Sequence, residues 1–356
     1  MSASLEQIRR LRITSRHWET PDTASFALEP ADGHALTYLP GQFISLIFNV
    51  NGHEKRRAYS FSSNPDTDAW PVITVKRIPN GEFSNWLLHH AEPGAILEAT
   101  EPAGRFLLPA GRTDAVVYIA AGSGITPVMS HLKTLLAGDG PDILLLYANR
   151  DSQSTIFKDQ LDRWMQAYPD RFTCLYLMSR EKTGVHSLER HLNNEILETL
   201  LTGYFRSKRQ TVRKRYTHFY LCAPTAMMRM AAMTLRVMNV AESSIHKEVF
   251  QPDNRLPVRT PDPSRLHTIR VEAKGTTLEF QAFEGETILN AALRQGIALP
   301  YSCKSGICFT CLARCTHGEV DINFVDTTKR EGPGQMVYTC IGYAASEVVV
   351  GLRYNV

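Results

Sequence analysis

Up to about residue 110, short apolar stretches with alternating polar positions are separated by turns. Phe43-Ile44-Ser45-Leu46-Ile47-Phe48 and Val72-Ile73-Thr74-Val75 are rich in β-formers, and Pro40-Gly41 and Asn80-Gly81 punctuate them. This pattern predicts an antiparallel barrel or sandwich. From residue 115 the texture changes. Continuous apolar runs at 115–121, 143–147, 172–178 and 219–222 alternate with segments of helical spacing at 127–136, 156–168, 188–201 and 226–239. Strand and helix in alternation predict an α/β unit built on a doubly wound parallel sheet. The stretch QPDNRLPVRTPDPS follows, and its Pro252, Pro257, Pro261 and Pro263 disfavour helix and central strand alike. The expected organisation is a β-barrel over 1–110, an α/β domain over 111–250, a semi-extended linker over 251–265 and a small unit over 266–356.

Composition narrows the classes. With 43% hydrophobic and 21% charged residues the 356-residue chain is globular, and a net charge of +3 gives no footing for nucleic-acid binding. No apolar run reaches the roughly 18 residues of a membrane span. The opening MSASLEQIRRLR has basic residues without the apolar core of a secretory signal, so a cytoplasmic protein is expected. Seven cysteines, an odd number, argue against a disulfide framework. Cys174 and Cys222 lie alone, while Cys303, Cys308, Cys311, Cys315 and Cys340 crowd the C-terminal unit, which points to a metal.

Cys303, Cys308 and Cys311 have the spacing C-x4-C-x2-C, with Cys340 further on, and this is the plant-type [2Fe–2S] pattern. Such a loop must bring thiolates together and aim backbone N–H groups at sulfur, which Gly306 and the small Ser302 and Ser305 permit. The fourth thiolate has to come from a distant segment, and the strand-like residues before Cys340 can deliver it. Zinc is the rival metal, but structural zinc sites favour two short C-x2–4-C knuckles and only one is present. Reading Cys308, Cys311 and Cys315 as a bacterial ferredoxin run fails on the first spacing and the missing proline, which leaves Cys315 a spare buried thiol. The stretch 285–293 has helical spacing and is stopped by Gly296 and Pro300 just before the loop. The unit therefore resembles a plant-type ferredoxin domain, which implies an α+β, β-grasp fold.

In the first unit, Arg57-Ala58-Tyr59-Ser60 follows a strand-like stretch. It resembles the R-x-Y-[ST] motif of the ferredoxin–NADP reductase superfamily. The resemblance implies that Arg57 neutralises a flavin phosphate, Tyr59 lies on the ring and Ser60 hydrogen-bonds near flavin N5. Val75 and Lys76 continue the pattern. Gly81, Phe83 and Ser84, within Gly81-Glu82-Phe83-Ser84-Asn85, resemble the turn that holds the FAD pyrophosphate, which favours FAD over FMN. Alone, the motif reads as a surface arginine beside a buried tyrosine; the following turn and the nicotinamide domain favour the flavin reading.

Ala120-Ala121-Gly122-Ser123-Gly124-Ile125-Thr126-Pro127 closes a predicted strand and opens a helix. Gly122 and Gly124 admit a dinucleotide phosphate to the backbone, and Thr126 and Pro127 complete a match to the superfamily's pyridine-nucleotide motif. Leu221-Cys222-Ala223-Pro224-Thr225-Ala226-Met227-Met228 resembles its C-G-P-x-x-M motif, with Ala223 in place of glycine. The match implies that Cys222 sits beside the nicotinamide; the bland reading is a buried thiol at a strand end. Glu248-Val249-Phe250 resembles the acidic-aromatic close of the same domain, which implies that Glu248 sits near the reacting rings and that Phe250 binds cofactor; a plain strand end is the alternative. A 2′-phosphate wants a base at the end of the second strand, where Arg150 stands, and Arg180 is another candidate, so the sequence leans to NADPH; a surface pair of Arg150 with Asp151, or a turn cap, is the plain alternative. The run FRSKRQTVRKR over 205–215 is read as a solvated loop, with a docking patch for an acidic partner as the sharper alternative.

The order flavin barrel, nicotinamide domain, ferredoxin domain resembles the reductase component of a multicomponent oxygenase. Asn149-Arg150-Asp151-Ser152-Gln153-Ser154, Ala291-Ala292-Leu293-Arg294-Gln295-Gly296 and the cluster loop most resemble the phenylacetyl-CoA epoxidase reductase group. The resemblance implies an NAD(P)H-dependent oxidoreductase that passes electrons through FAD and a [2Fe–2S] cluster to a terminal oxygenase or other acceptor protein. Alternatives are a hybrid-cluster-protein reductase, an FMN-type phthalate dioxygenase reductase, or a redox-sensing regulatory protein.

Overall fold

The computed structural model describes residues 6–50, 52–181, 187–189, 191–208, 212–250, 259–273, 275–323 and 328–352. Its first unit contains β1 (Arg9–Thr20), β2 (Thr23–Pro30), β3 (Phe43–Val50), β4 (His53–Ser60), β5 (Val72–Lys76), α1 (Glu82–His90) and β6 (Ile96–Ala99). The six strands form one antiparallel sheet in the order β4-β3-β6-β1-β2-β5. A bridge between Phe61, just past β4, and Ile73 in β5 joins the two ends and closes the sheet into a barrel. Alternation drives it: Leu11 and Ile13 point into the core while Arg10 and Arg12 face solvent. Helix α1 lays Phe83, Leu87 and Leu88 on the barrel. The stretch 81–85, read as a turn, is therefore the start of this helix, with Gly81 as its N-cap and no side chain capping it.

The second unit contains β7 (Ala115–Ala121), α2 (Ile125–Leu136), β8 (Asp142–Asn149), α3 (Lys158–Ala167), β9 (Phe172–Met178), β10 (Ser187–Glu189), α4 (Asn194–Ser207), β11 (Thr217–Cys222), α5 (Thr225–Val237) and β12 (Ile245–Lys247). All six strands are parallel, in the order β10-β9-β8-β7-β11-β12. One buried cluster packs α2 and α3 on one face, and a second packs α4 and α5 on the other. The order reverses between β7 and β11, and in open α/β sheets that switch point is where ligands bind. The helix expected over 188–201 is corrected. Residues 187–189 pair with β9 as an edge strand, and the helix begins at Asn194, where the Asn193 side chain accepts from the Ile196 amide at 2.8 Å. Tertiary strand pairing and a strong N-cap override the apolar spacing there.

The third unit contains β13 (Asp262–Ala273), β14 (Thr276–Glu284), α6 (Ile288–Arg294), β15 (Leu312–His317), β16 (Val320–Asn323), β17 (Thr328–Glu331), β18 (Met336–Tyr338), β19 (Gly342–Ala344) and β20 (Val348–Leu352). A mixed sheet in the order β14-β13-β20-β15-β18 and a small sheet in the order β17-β16-β19 share one core with α6, through Ile288, Leu289 and Ala292 against Ile269, Val271 and Val348. Strand β13 begins at Asp262, inside the stretch read as linker. Pro263 is tolerated because β20 pairs only from Ile269 onward, and a register shift falls between Asp262 and Leu266. Residues 251–258 of the expected linker lie outside the described residues, as do 209–211 of the basic run.

Candidate functional site

The loop between α6 and β15 carries three of the five clustered cysteines, and β18 ends just before Cys340. Cys311 Sγ lies 3.1 Å from Cys340 Sγ, and the Cys303 and Cys308 thiols hydrogen-bond to each other. The four sulfurs thus fall into two pairs. Two pairs of thiols are what two irons need, each taking two cysteine ligands. The Ser305 amide points at Cys303 Sγ at 3.4 Å and the Cys303 amide at Cys308 Sγ at 3.5 Å. The hydrogen bond with Cys308 draws the Cys303 thiol down to about 6, and nearby amides assist against the effect of burial. Lys304, Gly306 and Phe309 all have positive φ, so the loop curls tightly. Gly306 lies so near Ile341 that a Cβ would be 2.3 Å from its Cδ1, which seats the loop on the neighbour of the fourth cysteine. Cys315 is fully buried in the β15 core and donates to the His317 carbonyl at 3.3 Å, away from these pairs.

On the barrel, β4 presents the flavin candidates. Arg57 is exposed, with its guanidinium 4.4 Å above the Phe83 ring at the uncapped N-terminus of α1, so a fixed cation and free helix amides are available together to a phosphate. Tyr59 is half-buried, and burial pushes its phenol well up, so it stays neutral. Ser60 Oγ is buried and, among the described residues, has no hydrogen-bond partner. A buried hydroxyl without a partner is unfavourable, and a flavin ring edge would satisfy it. Ser84 is committed differently: its Oγ accepts from the Ile78 amide at 3.0 Å and shapes the loop before α1. Val75 turns its side chain into the barrel core, leaving only its backbone to reach a ligand, while Lys76 lies 3.7 Å from Asp22. Burial first, and then Arg150, lower the Lys76 ammonium, so Lys76 approaches the nucleotide unit.

At the switch point, Gly122 has φ +52 and its carbonyl accepts from Tyr147 Oη at 3.0 Å, and α2 starts at Ile125. Thr126 Oγ1 donates to the Ser123 carbonyl at 3.1 Å, and Pro127 sits in the first helical turn, where its missing N–H leaves no bond unmade. Gly124, Cys222, Ala223, Glu248 and Phe250 line one cleft of about 190 Å³. Burial pushes the Cys222 thiol well up, so it is a neutral neighbour rather than a thiolate. The Glu248 amide continues the β12 pairing by donating to the Leu221 carbonyl at 3.0 Å. Desolvation pushes its carboxyl up to about 8, with a further push from Cys308, so cleft and cluster loop are close neighbours. Arg150 and Arg180 stand side by side at the ends of β8 and β9, where the Arg180 amide donates to the Arg150 carbonyl at 2.9 Å. Asp151, a candidate partner for Arg150, spends its carboxylate on the Ser154 amide at 2.8 Å.

Three family models match in succession: an oxidoreductase FAD-binding domain over 10–107, an oxidoreductase NAD-binding domain over 118–233 and a 2Fe-2S iron-sulfur cluster binding domain over 271–345. A subunit of the 1,2-phenylacetyl-CoA epoxidase of Escherichia coli (strain K12) is 32% identical over 320 residues, covering 87% of this chain and 87% of its own. The chain belongs to the family of flavin and iron–sulfur oxygenase reductase components. Another member, the ferredoxin reductase component of 3-ketosteroid-9-alpha-monooxygenase from Rhodococcus rhodochrous, is 31% identical over 324 residues, covering 88% of this chain and 87% of its own. The fold matches that of phthalate dioxygenase reductase with a TM-score of 0.60 and 24% identity, over 97% of this chain and 98% of that one. As a reductase of this family the chain is an NAD(P)H-dependent oxidoreductase whose cofactors are FAD and a [2Fe–2S] cluster. Among the described residues no helix is long and apolar enough to cross a membrane. Sequence reasoning missed the contacts that seat the cluster loop on the barrel. Arg56 sits in a Lys-Arg-Arg run that reads as solvated surface, and nothing local marks it as buried.

Proposed function

We propose that this chain is the cytoplasmic reductase that supplies electrons, one at a time, to a terminal oxygenase or similar acceptor protein. What supports it is that the cluster loop touches β4 where Arg56 donates to the Tyr301 carbonyl, that β5 approaches Gly122–Gly124, and that Cys308 lies near enough to Glu248 in the cleft to raise its carboxyl. A bound flavin would supply the conversion of a two-electron hydride donor into single electrons, and a bound cluster the one-electron relay to the acceptor.

The chain's own residues do the holding. Arg57 and the N-terminus of α1 neutralise flavin phosphate, with Gly81 and Phe83 shaping that end. Tyr59 covers the ring, and the Ser60 hydroxyl donates near the hydride-accepting edge. Gly122, Gly124, Thr126 and Pro127 admit the dinucleotide phosphates. Cys222 and Phe250 flank the nicotinamide, and Glu248 stays protonated at neutral pH beside them. Arg150 and Arg180 hold a 2′-phosphate. Cys303, Cys308, Cys311 and Cys340 ligate iron. The relatives' names supply the acceptor class, since the Rhodococcus rhodochrous protein is a monooxygenase component. The test is steady-state cytochrome c reduction by NAD(P)H in protein whose extracted flavin weighs as FAD and whose iron content is complete. Sustained turnover is expected, and negligible turnover in fully loaded protein rules out the reductase reading in favour of a redox sensor.

A further inference from the structure

The cluster loop does not merely abut the barrel. Arg56 of β4 is only 8% exposed and four of its five guanidinium N–H groups are engaged. Nε donates to Glu54 Oε1 at 2.6 Å, Nη1 donates to Glu6 Oε1 at 2.6 Å and to the Tyr301 carbonyl at 2.7 Å, and Nη2 donates to Glu6 Oε2 at 2.7 Å. The guanidinium carbon lies 3.8 Å from the centre of the Tyr301 ring, whose hydroxyl donates back to Glu54 at 2.9 Å. At the next loop residue, Ser45 Oγ of β3, itself fully buried, donates to Ser302 Oγ at 2.7 Å. Lys304 Nζ, 4.7 Å from the Tyr301 ring, brings a second cation near the Glu54 carboxylate. Three segments far apart in sequence, the N-terminal Glu6, strand β4 and Tyr301 of the cluster loop, are joined by the Arg56 side chain, and Ser45 of β3 adds a second tie at Ser302.

We propose that Arg56 is the positioning residue that docks the cluster loop on the flavin barrel and so sets the rate of electron transfer from flavin to cluster; this rests on the reductase reading above. Tyr301 and Ser302 run directly into Cys303, the first sulfur of the cluster loop, and Ser60 lies four residues beyond Arg56 on the same strand. One rigid strand therefore carries both the flavin contact and the clamp. Electron transfer falls steeply with distance, so a loop held by a planar fork keeps its rate, whereas a loop held by flexible contacts does not. No other side chain supplies this pattern. Lysine is a point donor on a flexible stem and cannot serve both Glu6 oxygens, the Tyr301 carbonyl and the ring together. Removing the guanidinium also takes away the Arg56 partner of the buried Glu6 carboxylate, which weakens the junction.

The test uses full-length protein loaded with FAD and iron. Flavin reduction by NAD(P)H and cluster reduction are followed separately by anaerobic stopped flow, and hydrogen–deuterium exchange of residues 301–311 is measured without NAD(P)H. For Arg56→Met we expect flavin reduction within about twofold of wild type, cluster reduction slowed about tenfold or more, and faster exchange in the loop, with Arg56→Lys intermediate. Wild-type cluster reduction, or unchanged loop exchange, in fully loaded Arg56→Met overturns the proposal. Should Arg56→Met fail to assemble, Glu6→Gln keeps the side-chain shape and must give the same selective slowing and exchange in milder form; wild-type behaviour there overturns it equally. Absence of flavin reduction in wild type defeats the reductase reading instead, and loop exchange still reports on docking.

Discussion

Gly124 meets Cys222 backbone to backbone: a Cβ at Gly124 would lie 1.9 Å from the Cys222 carbonyl oxygen and 3.2 Å from its sulfur. The contact spans the switch point, holding the start of α2 against the end of β11, and the cleft opens beside it. The glycine has an ordinary helical φ, so space and not backbone conformation demands it. Gly124→Ala should force the two segments apart, with the overpacking destabilising the fold by about 1–3 kcal/mol. It should also slow NAD(P)H-dependent flavin reduction about tenfold or more while leaving dithionite reduction of flavin and cluster intact. Calorimetry and stopped flow check this, and wild-type values in both would mean the close approach is dispensable.

The sulfur pairing separates two buried cysteines 25 positions apart in sequence. Cys340 faces Cys311 at 3.1 Å, whereas Cys315 gives its thiol hydrogen to main-chain carbonyls in the strand core. Cys340→Ser is expected to abolish or greatly reduce the visible cluster absorbance and the iron content, with flavin content unchanged. Cys315→Ser should retain both, because the serine hydroxyl can donate to the same carbonyls. The reverse outcome would reassign the fourth ligand.

Legibility in the sequence depended on whether the signal was local. The cluster loop was legible because its chemistry fixes a spacing, and β7 to β9 were legible because strands buried on both faces read as unbroken apolar runs. The edge strand at 187–189 was not, since a three-residue strand is defined by its partner β9 rather than by its own pattern. The helix that starts at Glu82 reads as a turn because Gly81 masks its start. Arg56 was invisible for a deeper reason. Its burial is created by Glu6 and Tyr301, which lie 50 positions before it and 245 after it, and no local pattern records such a meeting.

Arg150 and Arg180 present adjacent cations at the ends of β8 and β9 where the ribose end of a dinucleotide bound at Gly122 would lie. Among the described residues neither makes an ion pair, and the Asp151 carboxylate, held by the Ser154 amide, feels the charge of both. Arg150→Ala should raise KM for NADPH about tenfold, the loss of roughly 1.4 kcal/mol, with little change for NADH. Arg180→Ala should act in the same direction. Steady-state kinetics with both nucleotides decide it, and equal effects on NADPH and NADH would remove these arginines from 2′-phosphate recognition.

His131 of α2 is fully buried, with its ring stacked on Phe106 at 5.4 Å and Nε2 2.8 Å from the Phe106 carbonyl. It thereby ties the nucleotide unit to the segment leaving the barrel. The ionisable groups around it are Tyr118, at 5.9 Å, Tyr220, at 5.1 Å, and His246, and none supplies a negative charge at neutral pH. Burial lowers the His131 imidazole from 6.5 to about 4, more than the Phe106 and Pro40 carbonyls raise it, and His246 pushes the same way. The neutral ring is thus favoured in the folded state, so its contribution is complete above pH 6.5 and is lost as pH falls toward 4. That span corresponds to about 3 kcal/mol. His246, also lowered to about 4 by burial, adds to the same slope. The expected result is that wild-type stability drops between pH 7 and 4.5, and that His131→Asn is less stable at pH 7.5 but loses less over that interval. Urea unfolding at several pH values measures both slopes. Parallel slopes would show that the acid sensitivity lies elsewhere, whereas a flatter one in the variant assigns it to the imidazole that joins the two units.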